Sequence, residues 1–467
     1  MKRSKWMRHL AVLAIFAILA AACGGEDTAA PPDDGAATDE PTDMAATDEP
    51  TDDMAATDEP TDEPTDDATE EPTDTGTAPE GAGEADGVLT LGLLLPETGD
   101  LAFLGPPEIS GVELAVEDMN EAGGVLGEDV ALLPGDSGDG DGTVANQTTD
   151  RHLAAGADAI IGAAASGISL TVIDKITGAG VIQFSPANTA QTFTEYDDNG
   201  LYFRTSPSDI LQGRVLAETI VADGGTNVAI LSRSDDYGRG LAEVTEAAAI
   251  EAGAQAQVFI YDQQAQNFDA DVADAAAIGP DAVVLIGFDE SARILTTMIE
   301  NGIGPADVLV YGTDGNRSND LATTVDPNDP AILTGMRGTS PASEAAPEFI
   351  ERLLEFNPDL TDTIYSGESY DAAIIIGLAA EVAGTDEPVA VAAEINDVTR
   401  PEGTVCTAFA ECKELIEGGE EIDYDGVSGP LDFLEAGEIG AATYDIWEIN
   451  AEGEAETVDQ QQITAED

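Results

Sequence analysis

From residue 88 onward, short apolar runs alternate with segments of helical spacing. The first set comprises predicted strands Val88–Leu95, Val130–Leu133, Ala159–Gly162 and Val181–Phe184, with predicted helices Ile109–Asn120, Val144–Leu153 and Ile168–Gly178. After Tyr202-Phe203-Arg204 the pattern restarts with strands Val228–Leu231, Val258–Tyr261, Ala282–Ile286 and Val308–Tyr311, and helices Gly213–Ala222, Leu241–Ala252, Phe268–Ala277 and Ala292–Asn301. Two successive sets of β/α units predict two doubly wound α/β lobes rather than one wide sheet. The nine-residue run Ala372–Ala380 is too short to span a bilayer and is predicted to be a buried helix.

The segment from Ala159 to Ala190 carries candidate ligand-binding groups to one edge of the first predicted sheet. A strand–helix–strand unit of this length crosses over right-handed, so its strands are parallel and their carboxyl ends share one edge. Ser166 follows the first strand and Thr189 follows the second. Open parallel sheets bind ligands at that edge, where hydroxyl and backbone N–H groups suit a small carboxylate. In the alternative interpretation, both side chains only cap the helices that they precede.

Acidic residues dominate the charge of the chain, which is formally −78 at pH 7. Residues 24–86 contain 23 Asp or Glu and no Lys or Arg, whereas residues 88–467 contain 71 acidic and 12 basic residues. Such a surface repels nucleic acid, anionic lipid heads and phosphorylated substrates, but it does not exclude a zwitterion. No nucleic-acid partner is therefore expected.

The amino-terminal 23 residues have the pattern of an export signal, with four basic residues before the apolar run Leu10–Ala22. The run ends in Leu19-Ala20-Ala21-Ala22-Cys23, which resembles the lipobox of bacterial lipoproteins and implies lipid attachment at Cys23. Ordinary cleavage after an Ala-x-Ala site is the alternative. Residues 24–87, with a repeated Ala-Ala-Thr-Asp-Glu-Pro-Thr-Asp unit, are predicted to form a disordered acidic linker.

Only Cys406 and Cys412 follow Cys23 in the sequence. In an exported protein, two cysteines six positions apart more readily form a local disulfide than a metal site. Two thiols without histidine partners are too few ligands for structural zinc. Neither a metal nor a cofactor is expected.

Several short motifs occur in an order that is typical of one family. They are Leu95-Pro96-Glu97-Thr98-Gly99, Ala115-Val116-Glu117-Asp118-Met119-Asn120, Gly123-Gly124-Val125-Leu126-Gly127, Phe184-Ser185-Pro186-Ala187, Asp236-Tyr237-Gly238, Tyr370-Asp371-Ala372 and Gly429-Pro430-Leu431. The chain resembles the branched-chain amino-acid-binding family of ABC-importer receptors, the type I periplasmic binding proteins, in which three crossing segments join two lobes. The resemblance implies a first lobe of residues 88–206 and 339–438. It implies a second lobe of residues 207–338 and 439–467, ending in a polar tail.

The resemblance also implies a set of ligand-binding residues. Ser166, Ala187 and Thr189 match first-lobe residues that hold the ligand carboxylate and amino group. Asp314, in Gly312-Thr313-Asp314-Gly315, matches the acid that pairs with the ligand ammonium, where relatives often have glutamate. The aromatic and apolar contacts implied are Tyr237 and Phe288 on the second lobe, Leu104 with Phe103 near the ligand side chain, and Tyr370 near the pocket. The alternatives are that Asp314 only forms a turn and that the two second-lobe rings are packing residues.

Taken together, these features predict an extracytoplasmic, lipid-anchored, monomeric protein that presents a small zwitterion to an ABC permease. A branched-chain or related aliphatic amino acid is the expected ligand. Amide or urea binding is one alternative, and the ligand-binding subunit of a sensory receptor is another. No enzyme activity is expected, because the predicted mature chain has one histidine, His152, and lacks a Gly-x-Ser-x-Gly elbow and a P-loop.

Overall fold

The first of two large sheets is parallel and has five strands. In the computed structural model, which describes residues 83, 85–138, 140–342 and 347–464, the strand order is β2-β1-β3-β4-β5. The strands are β1 (Thr90–Leu94), β2 (Ala131–Leu133), β3 (Ala159–Gly162), β4 (Ile182–Ser185) and β5 (Tyr202–Arg204). The predicted export signal, Cys23 and linker residues 24–82 lie outside the described residues.

The second sheet has seven strands in the order β15-β14-β10-β9-β8-β6-β7. Its strands are β6 (Asn227–Arg233), β7 (Gln255–Tyr261), β8 (Ala282–Ile286), β9 (Leu309–Gly312), β10 (Arg337–Pro341), β14 (Ala441–Ile449) and β15 (Ala455–Thr464). The pairs from β7 to β10 are parallel, and β14 is antiparallel to both β10 and β15. The lobe boundary predicted after residue 338 falls inside β10. A small sheet contains β11 (Thr404–Cys406), β12 (Ile422–Gly426) and β13 (Gly429–Pro430).

Helices cover both large sheets, giving two doubly wound α/β lobes. Those of the first lobe are α1 (Gly105–Glu121), α2 (Thr143–Ala154), α3 (Ser166–Leu170), α4 (Ile173–Gly178), α10 (Pro347–Phe356), α11 (Ser366–Ala383), α12 (Pro388–Ile395) and α13 (Phe409–Gly418). Those of the second are α5 (Asp209–Ala222), α6 (Asp236–Glu251), α7 (Asp269–Ala277), α8 (Ser291–Glu300) and α9 (Leu321–Val325).

One predicted helix differs from the structure, and another is confirmed. The predicted helix Ile168–Gly178 is wrong as a single element, because the chain breaks at Thr171 and Val172 into α3 and α4. The apolar run Ala372–Ala380 forms the centre of α11, and every residue of that run is buried. This helix packs along α1 and forms the core of the first lobe.

The chain passes between the two sheets three times. It leaves the first lobe after β5 and returns to the helices of that lobe after β10. It then enters the second lobe again between Glu438 and β14. A buried ion pair joins two of these passages, because the Arg204 Nε donates to Glu438 Oε2 at 2.9 Å. The same guanidinium donates to the carbonyls of Asn188 and Ala190, at 3.1 and 2.9 Å, which flank Thr189. The hinge is thereby connected to a loop that carries a predicted site residue.

Among the residues that the structure describes, no helix combines the length and the apolar character of a membrane span. Within the same residues, no group of three or more His, Cys, Asp or Glu side chains is arranged to hold a metal ion.

Cys406 at the end of β11 and Cys412 in α13 form a disulfide. Because the loop that it closes is short, the chain-entropy estimate gives a stabilisation of about 2 kcal/mol. We expect a Cys406→Ser/Cys412→Ser variant to lose about that much free energy of unfolding in urea titrations. Reducing agent should lower the unfolding midpoint of the parent protein and leave the double variant unchanged. An unaffected parent protein would contradict the prediction.

Candidate ligand-binding site

A small cavity, with about 10 Å³ of room for the centre of a water molecule, lies between the two lobes. The residues that line it are Leu101, Leu104, Ala164, Ala165, Ser166, Ala187, Thr189, Tyr237, Phe288, Asp314, Gly315 and Tyr365. Seven of the eight ligand-binding residues predicted from the sequence are therefore brought together. They come from the carboxyl ends of strands in both sheets, where open parallel sheets form their ligand crevice.

The first-lobe wall presents two hydroxyl groups, from Ser166 and Thr189. Ser166 is the first residue of α3, and its Oγ accepts a bond from the backbone N–H of Ala190 at 3.3 Å. Neither hydroxyl caps the helix that follows it, since the cap positions are occupied by Ala165 and Ala190. Both side chains are at least 97% buried, and both line the cavity.

The second-lobe wall consists of an acid and two stacked rings. Tyr237 in α6 and Phe288 after β8 have centroids 5.5 Å apart and nearly parallel planes. The Arg233 guanidinium lies 3.4 Å from the centroid of Phe288 and is itself paired with Glu290. The ring of Phe288 is therefore fixed by neighbours on two sides and cannot rotate freely toward the cavity.

Asp314 is the acidic group of the cavity. Its Oδ1 accepts bonds from Gln212 Nε2 at 2.8 Å and Tyr237 Oη at 2.9 Å, and its Oδ2 accepts from Tyr365 Oη at 2.9 Å. Burial raises the pKa of Asp314 above its ordinary value, and the three donated bonds oppose that rise. The preceding turn is held by the capping box of Thr313 and Asn316, so the carboxylate is not needed to form it.

Tyr370 does not line the cavity, so the prediction that it lies near the pocket is wrong. Its hydroxyl donates to Asp118 Oδ2 at 2.6 Å, and its ring packs edge-on against Phe349. Tyr365 lines the cavity instead, and the sequence reasoning missed it. It precedes α11 in a left-handed conformation with φ of 60°, a geometry with no recognisable sequence signal at a tyrosine. Phe103 packs beside the cavity without lining it.

No Lys, Arg or His occurs among the described residues that line the cavity. Asp314 is therefore the one acid among these lining residues, and its carboxylate, when ionised, makes the potential in the cavity negative. A second buried acid, Asp209, lies nearby at the start of α5. Burial raises the pKa of Asp209 well above its ordinary value, and the negative charge of Asp314 adds to the rise. Such surroundings favour a ligand that carries a positive charge.

A pair of buried acids lies at the amino-terminal ends of the two packed helices α1 and α11. Glu108 is fully buried, and neither carboxyl oxygen has a hydrogen-bond partner among the described residues. Glu368 is 3% exposed and its Oε2 is likewise unpartnered. Burial raises the pKa of Glu368 to about 8, and burial with repulsion from Glu368 raises the pKa of Glu108 well above its ordinary value. Glu368 therefore holds a proton under mildly acidic conditions.

Known proteins have sequences that are similar to this chain. The sequence model of the family described as periplasmic binding protein matches residues 88–454. A substrate-binding protein of a chemotactic signal transduction system, BasB of Halobacterium salinarum, is 29% identical over 367 residues. That alignment covers 74% of this chain and 84% of the relative.

Solved structures share the fold at lower identity. The leucine-binding protein LivK of Thermotoga maritima has a TM-score of 0.68 and 22% identity, covering 80% of this chain and 98% of that one. A solute-binding protein of Rhodopseudomonas palustris in complex with 4-hydroxybenzoate has a TM-score of 0.66 and 16% identity, covering 81% and 97%. These two likenesses concern the fold, and the two proteins bind chemically different ligands.

Proposed function

Because the chain belongs to the periplasmic binding protein family, we propose that it is the extracytoplasmic solute-binding protein of an ABC importer. Its ligand is a small zwitterion, a branched-chain or related aliphatic amino acid. The ligand enters the cleft between the lobes and is enclosed when they close, and the closed form is the one that the permease recognises.

The carrying observation is the buried Asp314 in a cavity whose described lining has no basic side chain. An α-ammonium group forms a charge-assisted bond to such a carboxylate, and each bond of this kind contributes about 1.5–3 kcal/mol. A benzoate-type ligand brings only a negative charge, which Asp314 repels. This difference favours amino acids over aromatic acids, although relatives of the same fold include binders of both classes.

The opposite wall supplies what the other end of a zwitterion needs. The hydroxyl groups of Ser166 and Thr189 donate to the ligand carboxylate, so that this charge is not left unpaired on burial. Leu101, Leu104 and the face of Phe288 are all at least 96% buried and form apolar walls for an aliphatic side chain. An aliphatic amino acid therefore has a partner in the cavity for its ammonium group, for its carboxylate and for its side chain.

Two alternatives share the scaffold. An amide or urea would use the hydroxyl groups and Asp314 as neutral hydrogen-bond partners. A sensory role is suggested by the chemotactic relative from Halobacterium salinarum, and it changes the membrane partner rather than the ligand site. Enzymatic turnover is not proposed, because the family consists of substrate-binding proteins.

A thermal-shift screen with amino acids, benzoates, amides and urea, followed by calorimetric titration of the hits, tests the proposal. We expect aliphatic amino acids to raise the melting temperature and to be recovered chemically unchanged. Stabilisation by benzoate, acetamide or urea without any response to amino acids would overturn the ligand assignment. A product of chemical conversion would overturn the binding-protein assignment.

The hydroxyl of Tyr365 provides a focused test of the site. Tyr365→Phe removes one donor to Asp314 Oδ2 and leaves the ring in place, so the amino-acid affinity should fall about ten-fold. Calorimetric titration measures the change. Tyr370→Phe is the matched control, because its hydroxyl contacts Asp118 outside the cavity. Equal affinities of the Tyr365→Phe variant and the parent protein would contradict the assigned geometry.

The proposal extends to the residues before the folded lobes. Cys23 carries a lipid that anchors the protein, and residues 24–87 act as an acidic tether, so that a monomer reaches the permease. Lys, Arg and phosphate-binding loops play no part in this anchoring. A Cys23→Ala variant should be released from the membrane fraction, and continued membrane association of that variant would argue against lipid attachment.

A further inference from the structure

Gln212 lies directly behind the acid of the candidate site. It is in the first turn of α5 and is fully buried. Its Nε2 donates to Asp314 Oδ1 at 2.8 Å and lies 3.2 Å from the carbonyl oxygen of Thr339 in β10. It does not itself line the cavity. The orientation with Nε2 toward Asp314 is the one that keeps the amide oxygen away from a carboxylate.

The other end of the same amide is unsatisfied. Gln212 Oε1 is buried and has no hydrogen-bond partner among the described residues. A buried acceptor without a partner loses its hydration and gains nothing in return, which lowers the free energy of unfolding. The amide oxygen therefore costs stability, and what the glutamine contributes lies in the bonds that its Nε2 donates.

What the glutamine does provide is a fixed donor to Asp314 that does not titrate. The other donors to that carboxylate are tyrosine hydroxyls, and the one on Tyr365 belongs to the opposite lobe and reaches Asp314 across the cleft. Gln212 remains beside Asp314 whether or not the lobes are closed, since both residues belong to the second lobe. The titratable groups that face this region are Asp209 of α5, Tyr237 of α6, Tyr365 before α11 and Tyr444 of β14.

We infer that Gln212 is a positioning residue for ligand binding: it holds Asp314 ionised and oriented toward the cavity without touching the ligand. The inference rests on the proposed function, in which Asp314 receives the ligand ammonium. Asp209 and Asp314 are two buried acids close together, and without the amide donor the charge on Asp314 is more costly.

Gln212→Met tests the inference, because methionine keeps the length of the side chain and removes the amide. We expect the amino-acid affinity to fall about ten-fold or more, while the ligand-free variant stays folded and keeps a cooperative urea transition. The affinity of the variant should also recover as the pH is raised from about 5 to 8, since the loss of a donor raises the pKa of Asp314 and a higher pH restores its charge. Gln212→Leu serves as a second apolar variant.

Gln183 is the matched control. It is also fully buried, its Oε1 is likewise unpartnered, and its Nε2 donates to Gly162 O rather than to Asp314. Gln183→Met should leave the pH dependence of binding unchanged. An unaltered affinity of the Gln212 variants would overturn the inference, as would a loss that is independent of pH or that accompanies unfolding in both variants. Failure of the parent protein to bind any amino acid would instead overturn the proposed function.

Discussion

Asp314→Asn is expected to weaken amino-acid binding by about 30-fold or more, the largest effect of any single change in the site. Removing one partner of a buried charge pair costs about 2–5 kcal/mol, and each 1.4 kcal/mol is a factor of ten in affinity. Asparagine has the same shape as aspartate, so the cavity and its ring stack should persist. Isothermal titration calorimetry of the parent protein and the variant measures the difference.

The control for this variant is Asp320→Asn, the same chemical change at an exposed position six residues away. Its affinity should equal that of the parent protein. The stability of the ligand-free Asp314→Asn variant should be equal or higher, since a buried charge has been removed. A benzoate that binds the variant better than the parent protein would support the role of the negative charge. Unchanged amino-acid affinity would rule out Asp314 as the ammonium partner.

Glu368→Gln is expected to raise the free energy of unfolding near pH 8 by up to about 4 kcal/mol, because each pKa unit corresponds to about 1.4 kcal/mol. Burial raises the pKa of this acid to about 8 in the folded protein, against an ordinary value of 4.5. Between those values the folded chain binds more protons than the unfolded chain, so stability falls as the pH rises. Glutamine stays neutral and removes this loss. Urea unfolding measured across the interval tests the effect.

The pH dependence distinguishes this effect from a general improvement of packing. Near pH 4.5 the parent protein and the Glu368→Gln variant should have similar stability, and the difference should grow with pH. Glu108→Gln should act in the same direction, because Glu108 is buried beside the same helix pair and its pKa is also raised. Glu414→Gln changes an exposed glutamate of α13 and should not alter the profile. A constant difference at every pH would count against a buried, protonated Glu368.

Much of the site followed from the sequence because strand ends fix the position of what comes next. Ser166 and Thr189 follow β3 and β4, and Asp314 follows β9, so the parallel register of each sheet carries them to its ligand-binding edge. The predicted strand ends were enough to place Ser166 and Thr189, whereas Asp314 was predicted only through the family resemblance. Apolar periodicity therefore indicated the first-lobe wall of the cavity and not its acid.

Residues near the start of a helix were harder to place. Tyr365 and Tyr370 are five positions apart at the start of α11, so their side chains leave the helix in different directions. Only Tyr365 lines the cavity. Gln212 was missed because the predicted helix started at Gly213, whereas Ser208 caps the helix by accepting a bond from the N–H of Ile210. Periodicity alone does not locate the first turn, since its residues are held by caps and tertiary contacts.

Strand β1 belongs to one sheet and strand β15 to the other. Exposed positions beside them, such as Asp129 before β2 and Val458 in β15, are therefore carried by different rigid bodies. A fluorescent donor at Asp129 and an acceptor at Val458 would report a change in the angle between the two lobes in a single molecule. The protein offers a scaffold for an optical sensor whose dyes lie far from its cavity.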